Sequence, residues 1–136
     1  MKSTLYILLF GIVLLSNSCK KDNEEDITND LARRIHGKWQ INSIMIKENL
    51  SGTERNVTHH GGASDYFDFK PNGKVYTSMQ GQSDDYDYFV NENENKINID
   101  GDNATILELS EHTFIFSDRD LTATIGYTEI TYSLKR

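Results

Sequence analysis

The sequence offers little covalent reinforcement and few basic residues. It contains one cysteine, Cys19, and one proline, Pro71, so no disulfide can form within the chain. Lysine and arginine number 14 against 21 acidic residues, which gives a net charge of −7. This deficit argues against binding to nucleic acid, whose phosphates need a basic surface, and against electrostatic docking on anionic lipid. We expect one domain that is stabilised by packing alone.

Long apolar runs are also missing after the first 18 residues, so no membrane-spanning helix is predicted there. The first 18 residues combine Lys2, an apolar run from Leu5 to Leu15 and small residues directly before Cys19. This pattern is typical of a secretory signal peptide. A membrane-spanning helix is not predicted, because the apolar run is too short to span a bilayer. Residues 19–27 follow as a predicted flexible acidic tether, since Lys20 to Asp26 includes no apolar residue.

The stretch that ends at Cys19 resembles a bacterial lipoprotein signal, in which the peptide is cut before the cysteine and the thiol carries diacylglycerol. The resemblance implies that residues 1–18 are removed and that lipidated Cys19 anchors the protein in the bacterial cell envelope, at the outer membrane. Two acyl chains hold a protein stably without a basic patch. An ordinary secreted protein with an incidental thiol is the alternative.

A single short helix is predicted from Thr28 to His36, at the start of a domain that spans residues 28–136. Ile27, Leu31 and Ile35 fall on one helical face, and Gly37 ends the helix. Because about nine residues cannot form a stable helix alone, this one must pack against the domain.

From Trp39 onward, apolar and polar residues alternate between turn residues, which predicts antiparallel strands. Residues 50–62 are polar and are predicted to be a loop, and Pro71-Asn72-Gly73 is predicted to be a tight hairpin turn. Eight strands of this length can close into a barrel. The predicted strands are residues 38–47, 64–70, 74–80, 85–90, 96–100, 103–109, 112–117 and 127–135.

The period of two also predicts which side chains face the interior. In the first strand, Trp39 and Ile44 reach the same face only if one residue bulges out near Asn42. In the strand 103–109, the alternation predicts that Leu107 and Leu109 point inward.

Several features occur in an informative order along the chain. The helix precedes Gly37-Lys38-Trp39, a hairpin follows from Phe67 to Val75, and Leu107 to Phe114 leads into a later strand. The chain ends in the aromatic and basic stretch from Tyr132 to Arg136. This order resembles the lipocalin-like domains of Bacteroidetes lipoproteins over residues 31–136.

That resemblance implies an all-β fold, namely an antiparallel eight-stranded up-and-down (lipocalin-like) barrel with a short N-terminal helix. It also implies that Arg136 packs over Trp39, behind Gly37, and closes one end of the barrel. A guanidinium stacked on an indole contributes roughly 0.5–2 kcal/mol.

One face of the predicted sheet is rich in residues suited to an amphipathic ligand, because tyrosine offers an apolar ring with a polar tip. The first function predicted is a non-enzymatic, membrane-anchored lipoprotein that binds a small apolar or amphipathic ligand in the barrel. The alternative is a structural or partner-binding module of an envelope complex that uses the exterior of a filled barrel. The candidate cavity residues are Met79, Tyr86, Tyr88, Phe116 and Tyr132.

A third and weakest hypothesis is a hydrolase or metal site around His59 and His60, helped by Glu54 or Asp65. Adjacent strand residues point to opposite faces, and two histidines without a spaced third ligand make a poor site. No nucleophile elbow, phosphate-binding loop or recognisable pair of catalytic carboxylates occurs either. Residues 100–103 look faintly like a calcium loop but lack its closing glutamate, so a solvated turn is expected. We predict no enzyme activity, cofactor or metal.

Overall fold

The computed structural model describes residues 30–121 and 126–136. The predicted signal peptide, lipidation site and tether therefore lie outside the described residues, as do the first two residues of the predicted helix. No helix among the described residues has the length and apolar character needed to cross a membrane. The described elements are α1 (Asp30–Ile35), β1 (Gly37–Leu50), β2 (Thr53–His60), β3 (Tyr66–Phe69), β4 (Lys74–Met79), β5 (Gln82–Asn91), β6 (Lys96–Ile99), β7 (Asp102–Leu109), β8 (Thr113–Asp120) and β9 (Gly126–Lys135).

Eight of these strands form a closed antiparallel barrel. From β3 to β9, consecutive strands pair with each other, and the first four residues of β1 pair with β3. The opposite edge of β1 pairs with β9 from Gln40 to Leu50, which closes the sheet on itself. The predicted fold class, an all-β eight-stranded up-and-down barrel with a short N-terminal helix, is therefore confirmed.

The prediction of a loop over residues 50–62 is wrong, because this segment forms a hairpin. β2 pairs with the second half of β1, and Ser51 and Gly52 make the tight turn with φ angles of 52° and 82°. β2 lies at the edge of the sheet and most of its side chains are exposed. A strand that buries so little carries no apolar alternation, so its sequence looks like a loop.

The bulge predicted in β1 is present. The register against β9 shifts between Ile41 and Ser43, so that Trp39 and Ile41 are buried and Ile44 packs against the same core. One extra residue reverses the parity of everything that follows it in the strand, which is why both halves of β1 contribute to the interior.

A second bulge, in β7, was not predicted. The register against β8 shifts between Ile106 and Glu108. As a result, Leu107 is 58% exposed whereas Ile106 is only 4% exposed, and the prediction that Leu107 points inward is wrong. Leu109 lies past the bulge and does pack against the core. A single shift of one residue is enough to exchange the two faces of a strand.

The two ends of the barrel differ in how they are filled. At one end, which we call the closed end, lie α1, the C-terminal residue and the predicted hairpin turn, in which Gly73 has φ = 78°. Three aromatic side chains, Trp39, Phe69 and Phe114, are fully buried there. The ring centroid of Phe114 lies 5.7 Å from that of Trp39 and 5.8 Å from that of Phe69. The opposite end, the open end, carries the turns at residues 80–81 and 100–101.

Candidate ligand-binding cavity

A cavity of about 270 Å3 lies inside the barrel towards its open end. It is formed mostly by side chains from β4, β5, β7, β8 and β9 that the alternation turns inward. Three aromatic rings make its wall. Tyr132 and Phe116 are stacked with centroids 5.0 Å apart, and Phe67 meets Tyr132 edge-on at 5.6 Å. Because these rings pack on one another, the wall is preorganised.

The structure brings together four of the five residues predicted to line a cavity, namely Met79, Tyr86, Phe116 and Tyr132. It places the fifth, Tyr88, outside, in the core of the closed end. The Tyr88 ring lies 5.1 Å from that of Phe69, its hydroxyl donates a hydrogen bond to a backbone carbonyl at 2.9 Å, and burial raises its pKa to about 12. The alternation of apolar and polar residues identifies the inner face correctly, but it does not predict how far along the barrel axis a side chain lies.

Three carboxylates line the same cavity, and the sequence reasoning missed them. Asp100 and Asp102 are exposed at the rim, whereas Asp118 is half-buried. Asp118 has the inward parity of Phe116, which is a usable signal, whereas Asp102 has the parity of Ala104, opposite to the one predicted for this strand from Leu107 and Leu109. Residues 100–103 were expected to form a solvated turn, and the predicted strand 112–117 ends before Asp118.

The carboxylates make the cavity electronegative. Burial, followed by repulsion from Asp102 and Asp120, raises the pKa of Asp118. Burial and then the charges of Asp118 and Asp102 also raise the pKa of Tyr132, so its hydroxyl stays protonated at neutral pH. Among the described residues that line the cavity, none is lysine, arginine or histidine.

We expect Asp118→Asn to stabilise the protein at neutral pH. The folded-state pKa of Asp118 is raised, so the folded state binds the proton more tightly than the unfolded state and stability falls as pH rises from the ordinary pKa of 3.8 through the raised value. The ionised carboxylate is thus unfavourable at pH 7, and removing it should add at most about 1 kcal/mol to the free energy of unfolding.

Urea denaturation at several pH values measures this difference, which should disappear near about pH 3, where aspartate is protonated in both states. Asp85→Asn is the matched control, because Asp85 lies outside the cavity, 3.7 Å from Lys74 Nζ, and should show no gain. An equal gain in both variants, or a gain in Asp118→Asn that does not change with pH, would contradict the expectation.

At the closed end, the structure brings Arg136 and Trp39 together. The guanidinium carbon lies 4.0 Å from the centre of the indole ring. The same guanidinium donates three hydrogen bonds to backbone carbonyls, to Glu111 at 2.8 Å, His36 at 3.0 Å and Arg34 at 3.2 Å. One side chain therefore ties the end of β9 to the end of α1 and to the turn between β7 and β8.

Gly37 allows the chain to turn from α1 into β1 directly beneath this guanidinium. Its φ of 112° lies in the left-handed region that other residues avoid, and a Cβ there would lie 3.6 Å from Arg136 Nη1. Trp39 Nε1 donates a hydrogen bond to the Ile35 carbonyl at 2.7 Å, which fixes the indole against the helix end. The three residues predicted at the barrel closure thus form one cluster.

His59, His60 and Asp65 line a second, smaller pocket of about 140 Å3 beside β2. Both Asp65 carboxylate oxygens already accept hydrogen bonds from backbone amides, at 2.8 and 2.9 Å. Glu54, the other proposed helper, lies 3.5 Å from Lys47 Nζ near the opposite end of β2. In the part of the chain that the structure describes, no three histidine, cysteine or acidic side chains are arranged to hold a metal ion.

Comparison with known proteins leaves the family open. No protein-family model and no curated protein sequence matches this chain. Among solved structures, the chain is similar to a deswapped triple mutant of bovine odorant binding protein, with 16% sequence identity and a TM-score of 0.47. The similarity covers 76% of this chain and 74% of that chain. The fold class rests on the strand pairing of the molecule itself.

Proposed function

We propose that this protein is a non-enzymatic lipoprotein of the bacterial cell envelope that binds a small amphipathic molecule in the open half of its barrel. The observation that carries the proposal is the cavity of about 270 Å3. Its stacked aromatic wall offers apolar surface, and the hydroxyl of Tyr132 and the carboxylates at the rim offer polar partners. Pockets for small ligands typically combine a largely apolar lining with a few convergent polar groups.

The size of the cavity limits the ligand. An apolar cavity of about 150 Å3 is enough to bind benzene, whereas pockets for larger organic ligands begin at about 300 Å3. At about 270 Å3, this cavity suits a molecule with one or two rings, or a short branched chain. Long fatty acids and large pigments are too big for it.

The alternative role, a partner-binding module that uses the barrel exterior, rests on a filled interior. The cavity of about 270 Å3 argues against a filled interior. Among the described residues, the large apolar side chains that are exposed lie on several strands or after β8, and Phe89 and Leu107, at 61% and 58%, lie on β5 and β7, which are not paired with each other. The others are Met45, Leu50, Tyr76 and Leu121. Isolated apolar side chains are normal on protein surfaces and do not indicate an interface.

Native mass spectrometry of protein purified from its own host tests ligand binding. We expect the wild type to retain a small molecule and Ala104→Leu to lose it, because Ala104 lines the cavity and is only 6% exposed. Ala63→Leu, which adds the same side chain at an exposed loop position, should retain the ligand. A folded Ala104→Leu protein that carries the same bound mass as the wild type would contradict the proposal.

The anchor depends on Cys19, which lies outside the described residues. We expect Cys19→Ala to move the protein from the membrane fraction to the soluble fraction, because each buried methylene of the acyl chains contributes about 0.8 kcal/mol. Ser18→Ala keeps a small residue before the cysteine and should leave the protein in the outer-membrane fraction. Membrane retention of Cys19→Ala would show that no lipid on this residue holds the protein.

A further inference from the structure

We infer that the cavity selects organic cations, so that its ligand is a small molecule with an apolar body and a protonated amine. This inference rests on the proposed function and adds the charge of the ligand to it. The site is the aromatic cavity already described. The three carboxylates around it determine which molecules of suitable size it prefers.

The first argument is that these carboxylates lack protein cations. Within residues 30–121 and 126–136, none of Asp100, Asp102 and Asp118 takes part in an ion pair. Two carboxylates on the barrel exterior do have a cation beside them, because Lys74 Nζ lies 2.8 Å from Asp87 and 3.7 Å from Asp85. The cavity therefore carries negative charge that no ion pair with a described residue compensates.

The second argument is the arrangement of these charges relative to the rings. Asp118 follows Phe116 by two residues on the inner face of β8, so the half-buried carboxylate stands next to the stacked wall of Phe116 and Tyr132. A molecule whose ring packs on that wall places its polar end at the level of the carboxylates. The faces of aromatic rings also attract cations directly.

The third argument is that the same charges exclude other ligands. A cleft lined by charge of one sign concentrates ions of the opposite sign and repels ions of its own. A carboxylate-bearing ligand, such as a short fatty acid, would bring a further negative charge beside Asp118, whose pKa is already raised by burial and then by repulsion from Asp102 and Asp120. Neutral molecules would pack equally well on the aromatic rings but would gain no charge attraction from the carboxylates at the rim.

The experiment uses the mature chain and three probes of nearly equal shape, namely 2-phenylethylamine, 2-phenylethanol and 3-phenylpropanoate. Affinity is measured by NMR titration at pH 7, following the signals of Tyr132 and Ala104. We expect the amine to bind about tenfold more tightly than the alcohol and the carboxylate to bind most weakly, as several partly solvated charge pairs would produce together. Raising the salt concentration should reduce the preference for the amine.

Asp118→Asn should lower the affinity for the amine about threefold while the affinity for the alcohol stays the same, which also shows that the cavity remains folded. The control variant Asp85→Asn should change neither affinity.

If the alcohol binds in the cavity as tightly as the amine, the inference is overturned and the proposed function stands. If none of the probes shifts the Tyr132 and Ala104 signals, both are overturned. An unchanged preference for the amine in Asp118→Asn and Asp102→Asn would also overturn the inference.

Discussion

Replacing Trp39 with alanine is expected to lower the free energy of unfolding by about 3–5 kcal/mol, the range for an aromatic side chain removed from a packed core. Trp39 is fully buried, and its ring contacts both the ring of Phe114, with centroids 5.7 Å apart, and the guanidinium of Arg136. The substitution would leave a large void at the closed end and leave the Ile35 carbonyl without its hydrogen bond. For a small domain without disulfides, this is a large share of the total stability.

Urea denaturation followed by far-UV circular dichroism measures the loss, since the variant has no tryptophan fluorescence. Trp39→Phe is the graded control, because it keeps an aromatic ring but removes the indole N–H, and we expect it to cost about 1–3 kcal/mol. If alanine costs no more than phenylalanine, the void at this position is unimportant and the closed end is stabilised elsewhere.

Replacing Arg136 with alanine is expected to cost roughly 2–4 kcal/mol in free energy of unfolding, although the residue is exposed. The loss combines its contact with the indole and three hydrogen bonds to backbone carbonyls. Lysine cannot replace this group, because an ammonium lacks the planar fork that contacts several acceptors while it stacks on a ring. Arg136→Lys should therefore recover only a small part of the lost stability.

Thermal denaturation of Arg136→Ala, combined with the emission spectrum of Trp39, separates this role from a general charge effect. Lys135→Ala removes the same charge from the neighbouring, exposed residue and should be nearly neutral. A double-mutant cycle between Trp39→Phe and Arg136→Ala should show a coupling energy of about 0.5–2 kcal/mol. Equal losses in Arg136→Ala and Lys135→Ala would mean that the stacked geometry contributes nothing.

Several parts of this structure follow from local patterns. Alternation from Trp39 onward predicted the eight barrel strands, because each strand packs one face on a core and leaves the other in water. The bulge after Ile41 was predictable for the same reason, since apolar residues on both sides of it had to reach one face. The contact between Arg136 and Trp39 was expected from the family resemblance and not from a local pattern.

Other parts had no such local signal. β2 was missed because an edge strand that buries almost nothing has no apolar period. The bulge at Leu107 was missed because both parities of β7 offered apolar residues, and only pairing with β8 selects one of them. Tyr88 was misplaced because alternation specifies the face of a strand and not the depth in the barrel at which a side chain lies.

The sequence by itself determined that the chain forms antiparallel strands able to close into a barrel, because alternation and turn residues act over short distances in the chain. Only the tertiary structure decided that the interior keeps a cavity and that Asp102 and Asp118 lie on its surface. Asp118 and Phe116 are neighbours on the inner face of β8, but the distance of Asp102, on β7, from the ring of Tyr132, on β9, depends on how eight strands tilt and close. No local pattern contains that distance.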